Sequence, residues 1–242
     1  MSAEAGEASP NASASAVSRI GGVLFSPVET FESLARRPTW LAPLLLWTVL
    51  SLALTAVMLP RMDFEGMMRA RMEKSGQTVS DEQLEKTIAI QKRFAGLGYV
   101  WGGLVPTVLS LLLAGIFFLA FKAFGSDLSF RHSFGVTTHA FVPGVLASVL
   151  YIPLLLRQEK VDPSNMGDLL RSNLGFLVEK ESAPAVHALL QSLDLFTFWT
   201  LALLVIGYAA SARVSRGKSA ALILTLWLLY VLGKAGWAAL FG

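Results

Sequence analysis

The string Arg216-Gly-Lys-Ser219 is the nearest this chain comes to a nucleotide-binding motif. A P-loop cradles phosphate on a glycine-rich turn between a strand and a helix, and ends in Gly-Lys-Ser or Gly-Lys-Thr. Its first glycine belongs five positions before Gly217, where this chain has Ala212, and an apolar run rather than a strand leads in. Arg213, Arg216 and Lys218 read instead as one basic turn at the level of lipid headgroups, suited to anionic lipid.

Three ionisable residues fall inside apolar runs, where burying charge in hydrocarbon is costly and usually has a reason. His139, beside Thr137 and Thr138, has the chemistry of a proton relay; the simpler role is a hydrogen bond between helices. Asp194 and Lys234 sit toward the same side of a helical hairpin. They either pair in a polar pocket or Lys234 snorkels to the headgroups on its long stem, the reading we favour. His132 and His187 lie in or near loops on different sides, so the three histidines do not converge on a metal, and no His-Glu-x-x-His spacing exists. Five of the seven methionines fall between Met58 and Met72, a thioether cluster of the kind that binds Cu(I). Without His or Cys partners a soft packing surface is the better reading. No nucleophile, base and orienting group assemble from spacing, so no enzyme activity and no cofactor is expected.

The elements that carry these residues are membrane spans. Hydrophobic residues make up 54% of the chain and charged residues 15%, and the apolar ones come in blocks rather than stripes. Blocks of about 18 or more such residues cross a hydrocarbon core of roughly 30 Å as helices. Five spans follow: 40–59, 97–121, 133–156, 194–212 and 219–241. The expected fold is an all-α polytopic bundle of five transmembrane helices plus interfacial amphipathic helices. Gly98 and Gly102, four apart, admit a second helix at close range. Pro106 should kink the second span, and Pro143 and Gly144 fall in the middle of the third.

Residues 1–17 read as a disordered tail with no cleaved signal peptide, and 18–242 as the membrane domain. The triplet Asn11-Ala-Ser13 fits a glycosylation sequon, one frequent by chance. Ser26-Pro-Val-Glu29 reads as a capping box opening a short amphipathic helix, with Val28, Phe31, Leu34 and Ala35 on its apolar side and Arg36 and Arg37 closing it. Ser80-Asp-Glu-Gln83 is a second such box, in a helical loop that runs toward the second span.

The net charge of +3 is dispersed, which gives no stripe for nucleic acid. The absence of cysteine excludes disulfides and thiolate metal sites. An N-terminus in the cytoplasm places eight cations inside: Arg19, Arg36, Arg37, Lys122, Arg131, Arg213, Arg216 and Lys218. The reverse places eleven inside, but in loops that carry as many acids; residues 157–194 have four Lys or Arg against six Asp or Glu. The rule is strongest for short flanking loops, and the densest is 213–218, so the N-terminus is expected inside and the C-terminus outside.

Ser26-Pro27 with Glu29-Thr-Phe31, then Arg37-Pro-Thr-Trp40-Leu-Ala-Pro43, resembles the entry to the first span in bacterial members of the Yip1 family. The segment His139 to Pro143 and the run from Leu193-Asp-Leu-Phe196 through Trp199 to Ser215-Arg-Gly-Lys218 are similar too. The resemblance implies five helices, a cytoplasmic N-terminus and residence in a bacterial inner membrane. Eukaryotic relatives act in vesicle traffic and bind prenylated Rab-type GTPases; bacteria lack that machinery and this tail is short, so that role is not carried over. The expected function is that of a non-enzymatic membrane organiser. Its partners would be the lipid bilayer and other membrane proteins or further copies of itself, with Arg36, Arg37, Arg213, Arg216 and Lys218 as headgroup contacts. A small transporter or channel using His139, Asp194 and Lys234 is the alternative.

Overall fold

The computed structural model describes residues 15–75, 81–163 and 166–241. Most of the expected tail, the Asn11 sequon and Ser80 of the second capping box lie outside the described residues. The described chain is helical, with two isolated bridges and no strand. Five helical segments are long and apolar enough to cross a membrane: Leu41–Arg61, Leu97–Ala123, Phe130–Leu156, Leu195–Ala212 and Arg216–Phe241.

Two helices precede the first span. Helix α1 (Ala16–Phe25) begins two residues before the expected domain start, because Ser15 caps it: its Oγ accepts from Ser18 N–H at 3.1 Å. Helix α2 (Pro27–Arg36) has Pro27 in its first turn, as expected, but the capping box does not form. Ser26 also ends α1, donating its own N–H to Gly22 O at 2.7 Å. The donor that Glu29 would have met is therefore already committed. The apolar side of α2 faces the bundle. Its buried residues Thr30, Phe31 and Leu34 seat it against the fourth and third spans.

The first span is α3 (Leu41–Met58) with a 3-10 turn at Leu59–Arg61. A helical excursion of α4 (Phe64–Ser75) and α5 (Asp81–Phe94) leads, after Ala95 and Gly96, to α6 (Leu97–Ala123). The small residues of α6 lie where expected. A Cβ on Gly98 would come within 3.3 Å of Leu59, and one on Gly102 would overlap Thr55, so side chains from the first span rest directly on the backbone of α6 there. The helix continues through Pro106.

The third span is broken in two, α7 (Phe130–Ala140) and α8 (Val142–Leu156), at Phe141. Pro143 has no N–H for His139 O, and its ring crowds that carbonyl. Trp47 of α3 braces the break, stacked on Phe141 at 5.3 Å and 7°. Beyond α8 a capping region includes α9 (Met166–Leu169) and α10 (Pro184–Ser192), which packs on the last span. The hairpin of α11 (Leu195–Ala212) and α12 (Arg216–Phe241) completes the bundle. Its turn is shorter than the sequence suggests, since Arg216 and Lys218 already lie in the first turn of α12.

The main core cluster gathers Val23, Phe31, Leu34, Phe117, Phe121, Val136, Tyr208 and Ile223 around α11. It lies toward the end where α2, α7 and the α11–α12 turn meet. There Gly207 is pressed on from both sides: a Cβ would approach Val136 to 2.6 Å and the Phe31 ring to 2.8 Å. Outward faces of α6 and α12, with Trp101, Leu119 and Trp237, are exposed and apolar, a surface suited to hydrocarbon.

Candidate lipid-facing basic end

The ends of α2, α6 and α11 and the starts of α7 and α12 meet at one end of the bundle. All eight cations expected on a common side lie there, against Glu29, Glu32 and Asp127 among the described residues. Among the described residues no ion pair forms at this end; three Lys or Arg pairs, and the His187–Asp168 contact, are at the other. Arg36, Arg213 and Arg216 line one cavity of about 640 Å³, shared with Glu32, Asp127 and His132. Ser211 Oγ, buried in its wall, has no hydrogen-bond partner among the described residues. Arg37 is exposed and bears on a different neighbour, its carbonyl accepting from Arg19; Lys218 is exposed outside the cavity.

Two local features sharpen this charge. Arg213 caps α11 in the left-handed region, φ 55°, ψ 43°, where glycine would be unstrained. Arg216 and Lys218 stand at the N-terminus of α12, the positive end of the helix dipole, where acidic groups are favoured and none is present in the first turn. Ser219 has no phosphate role here: it is buried, and its Oγ donates to Val205 O of α11 at 2.9 Å.

The three intramembrane candidates do not converge. His139 is buried at the break in the third span, its Nδ1–H donating to Gly135 O at 2.8 Å. The cavity it lines holds neither Asp194 nor Lys234. Asp194 caps α11 at the opposite end, accepting from Thr197 N–H at 2.9 Å and from the Ser172 hydroxyl. Lys234 donates to Gln191 of α10 at 2.9 Å. The other histidines are likewise engaged apart, His132 with Ser129 Oγ at 2.7 Å and His187 with Val178 O at 2.9 Å. Among the described residues no cluster could hold a metal ion.

Sequence reasoning missed two groups. Tyr208 is fully buried, stacked on Phe121 at 4.8 Å, with its hydroxyl 2.6 Å from Ser133 Oγ and 2.9 Å from Thr137 Oγ1. Ser133 and Thr137 are four apart on α7, a spacing that signals one polar face. The second is Arg19, 6% exposed, whose signal was a lone cation in the otherwise uncharged decapeptide of α1.

No curated protein and no solved structure matches the chain. The family model for the Yip1 domain matches residues 21–238, from within α1 to the last turn of α12. A match of that extent takes in the second half of α1, all of α2 and the five spans up to residue 238, and it makes this multi-pass membrane protein a member of the Yip1 family.

Proposed function

We propose that this protein is a non-enzymatic organiser of the cell membrane that gathers anionic lipid, and membrane proteins that carry it, at its basic end. The observation that supports this most is the set of eight cations with no ion pair among the described residues. Charge left unmatched within a fold is matched from outside, and the headgroup region of an anionic leaflet supplies the counter-charge. The basic end then faces the cytoplasm, with the N-terminus inside and the C-terminus outside, in keeping with the cation bias of short loops.

The test is lipid enrichment around the full chain in nanodiscs of phosphatidylcholine with a minor share of phosphatidylglycerol. Replacing Arg36, Arg213, Arg216 and Lys218 together by Gln should weaken recruitment by about 1 kcal/mol per cation. The same change at Arg69, Lys86, Arg157 and Lys160 at the other end should leave it nearly unchanged. A wild-type protein surrounded by the two lipids in their bulk ratio would remove the proposal. Crosslinking in native membranes then identifies which proteins share the patch.

A further inference from the structure

Arg19 is a buried cation with no carboxylate. Its Nη1 donates to Arg37 O at 3.0 Å and Thr39 Oγ1 at 2.9 Å, and its Nη2 to Ser33 Oγ at 3.3 Å. All three acceptors are neutral. Its Nε has no partner among the described residues. A guanidinium withdrawn from water to this extent is normally paired, because neutral oxygens do not offset the loss of hydration of a full charge.

The side chain lines a cavity of about 430 Å³ between α1, the 38–42 segment and α7. Arg131, from the first turn of α7, contributes a second cation to the same cavity and makes no hydrogen bond or ion pair among the described residues. His139 lies on its wall with Nδ1 already committed to Gly135 O. No Asp or Glu lines this space. The remaining wall is apolar: Trp40, Leu41 and Leu45 of the first span, the two leucines 54% and 53% exposed on the lipid-facing side. Gly135 lets the chain cross α7 to shape this wall. A Cβ there would meet Thr39 O at 2.9 Å.

Two uncompensated arginines beside an apolar surface continuous with hydrocarbon fit one kind of molecule: an anion that carries its own acyl chains. We propose that Arg19 and Arg131 hold the phosphate of an anionic phospholipid whose chains lie along Trp40, Leu41 and Leu45. Arginine suits the task because its planar fork meets phosphate oxygens in pairs. The site is separate from the Arg36–Arg213–Arg216 cavity, and it deepens the proposed lipid-gathering function, on which it rests.

The full chain in neutral detergent is titrated with phosphatidylglycerol, phosphatidylcholine and inorganic phosphate and read by native mass spectrometry. Phosphatidylglycerol should bind in preference to phosphatidylcholine, and millimolar inorganic phosphate should not displace it. Arg131→Gln, at an exposed position without partners, should weaken binding about fivefold, the worth of one cation beside an anionic headgroup, with lipid-free melting unchanged. Arg19→Gln also unties α1 from the 37–39 segment, so a second measurement avoids it. The chain has no cysteine, and Leu45→Cys takes a single fluorescent label. Phosphatidylglycerol with brominated chains should quench that label more than brominated phosphatidylcholine.

Wild-type affinity in Arg131→Gln, displacement by inorganic phosphate, or equal quenching by the two lipids would each overturn the site. If the site fails while the fourfold Gln variant at Arg36, Arg213, Arg216 and Lys218 still loses anionic lipid, the organiser reading survives it. If the wild type prefers no anionic lipid in either experiment, both fall.

Discussion

The two ends of this bundle handle charge in opposite ways. The opposite end carries eleven loop cations against twelve carboxylates and closes on itself. Arg69 meets Glu65 at 3.0 Å, Lys86 meets Glu82 at 2.7 Å, Lys160 meets Asp63 at 3.2 Å and His187 lies 3.5 Å from Asp168. Asp194 and Lys234, the residues most open to suspicion of transport, are there too, one as a helix cap and the other on a glutamine. The basic end has most of the close packing, with α2 wedged onto α11 and the aromatic cluster around Tyr208, yet it leaves its cations unmatched. Packing fixes the positions of those charges, and the missing counter-charge defines what they meet. An end that satisfies itself has nothing to recruit; a rigid end with surplus charge does.

The strongest way to break this contrast is Gly207→Val. The branched side chain has no room between Val136 and the Phe31 ring, both of which already abut the glycine. Overpacking of this kind costs about 3 kcal/mol. It should drive α2 off the bundle, lower the melting temperature in detergent, and speed tryptic cleavage of the Arg36–Arg37 bond at the end of α2 while cleavage at the opposite end is unchanged. An unchanged digest would mean that α2 is not held at this crossing.

Tyr208→Phe comes next. The network reads consistently with Thr137 donating to the tyrosine oxygen, the tyrosine donating to Ser133 Oγ, and Ser133 donating to Ala114 O at 2.7 Å. Removing the hydroxyl leaves a buried donor on Thr137 and an empty acceptor on Ser133, at a cost of about 1–2 kcal/mol in unfolding experiments.

Arg213→Gly runs the other way and separates stability from recruitment. Glycine adopts φ 55° without strain, so the variant should be more stable by about 1 kcal/mol in thermal unfolding while anionic lipid recruitment falls. Were stability and recruitment to move together, the arginine would be part of the packing rather than a charge held in place.

Much of the architecture was legible in the sequence, because lipid demands long apolar helices and the composition shows them directly. The five spans and the close approach at Gly98 and Gly102 follow from length and small residues, whereas Pro143 marked the middle of the third span without announcing that the helix breaks there. What stayed hidden is which faces meet protein. In water, hydrophobic residues mark the core. In hydrocarbon, Leu119 facing lipid and Leu203 facing α11's neighbours look alike in the sequence. The same ambiguity left the apolar side of α2 to meet either lipid or the bundle, and the enclosure of Phe31 and Leu34 decides for the bundle. Ser26 misled for a local reason, since it serves two helices at once. Arg19 was counted only as one of eight flanking charges. Its burial depends on the 37–39 segment folding back over α1, a contact that no spacing within α1 announces.

The smallest expected effect lies at the self-satisfied end and tests whether its charges are matched in the way the contrast requires. Asp63 follows the first span. Its Oδ1 accepts from Gly66 N–H at 3.1 Å, and Lys160 reaches it from the loop beyond α8 at 3.2 Å. The backbone donor first, and the lysine second, hold its carboxyl below the ordinary value of 3.8. A carboxyl depressed by folding contributes stability that is present above its unfolded value and is lost as pH falls through the folded one. Between pH 5 and pH 3, protection against hydrogen exchange, taken relative to the intrinsic amide rate at each pH, should therefore fall at Asp63 and Val161, whose amides pair the two loops through Val161 O and Arg61 O at 3.1 and 2.7 Å. The change should be slight, because the pair is partly exposed and screened by salt. Asp63→Asn should abolish the pH dependence while both loops remain folded. Should protection stay flat in the wild type down to pH 3, the Lys160 contact is a surface coincidence, and the opposite end owes its closure to α10 and the Lys234–Gln191 contact rather than to paired charge.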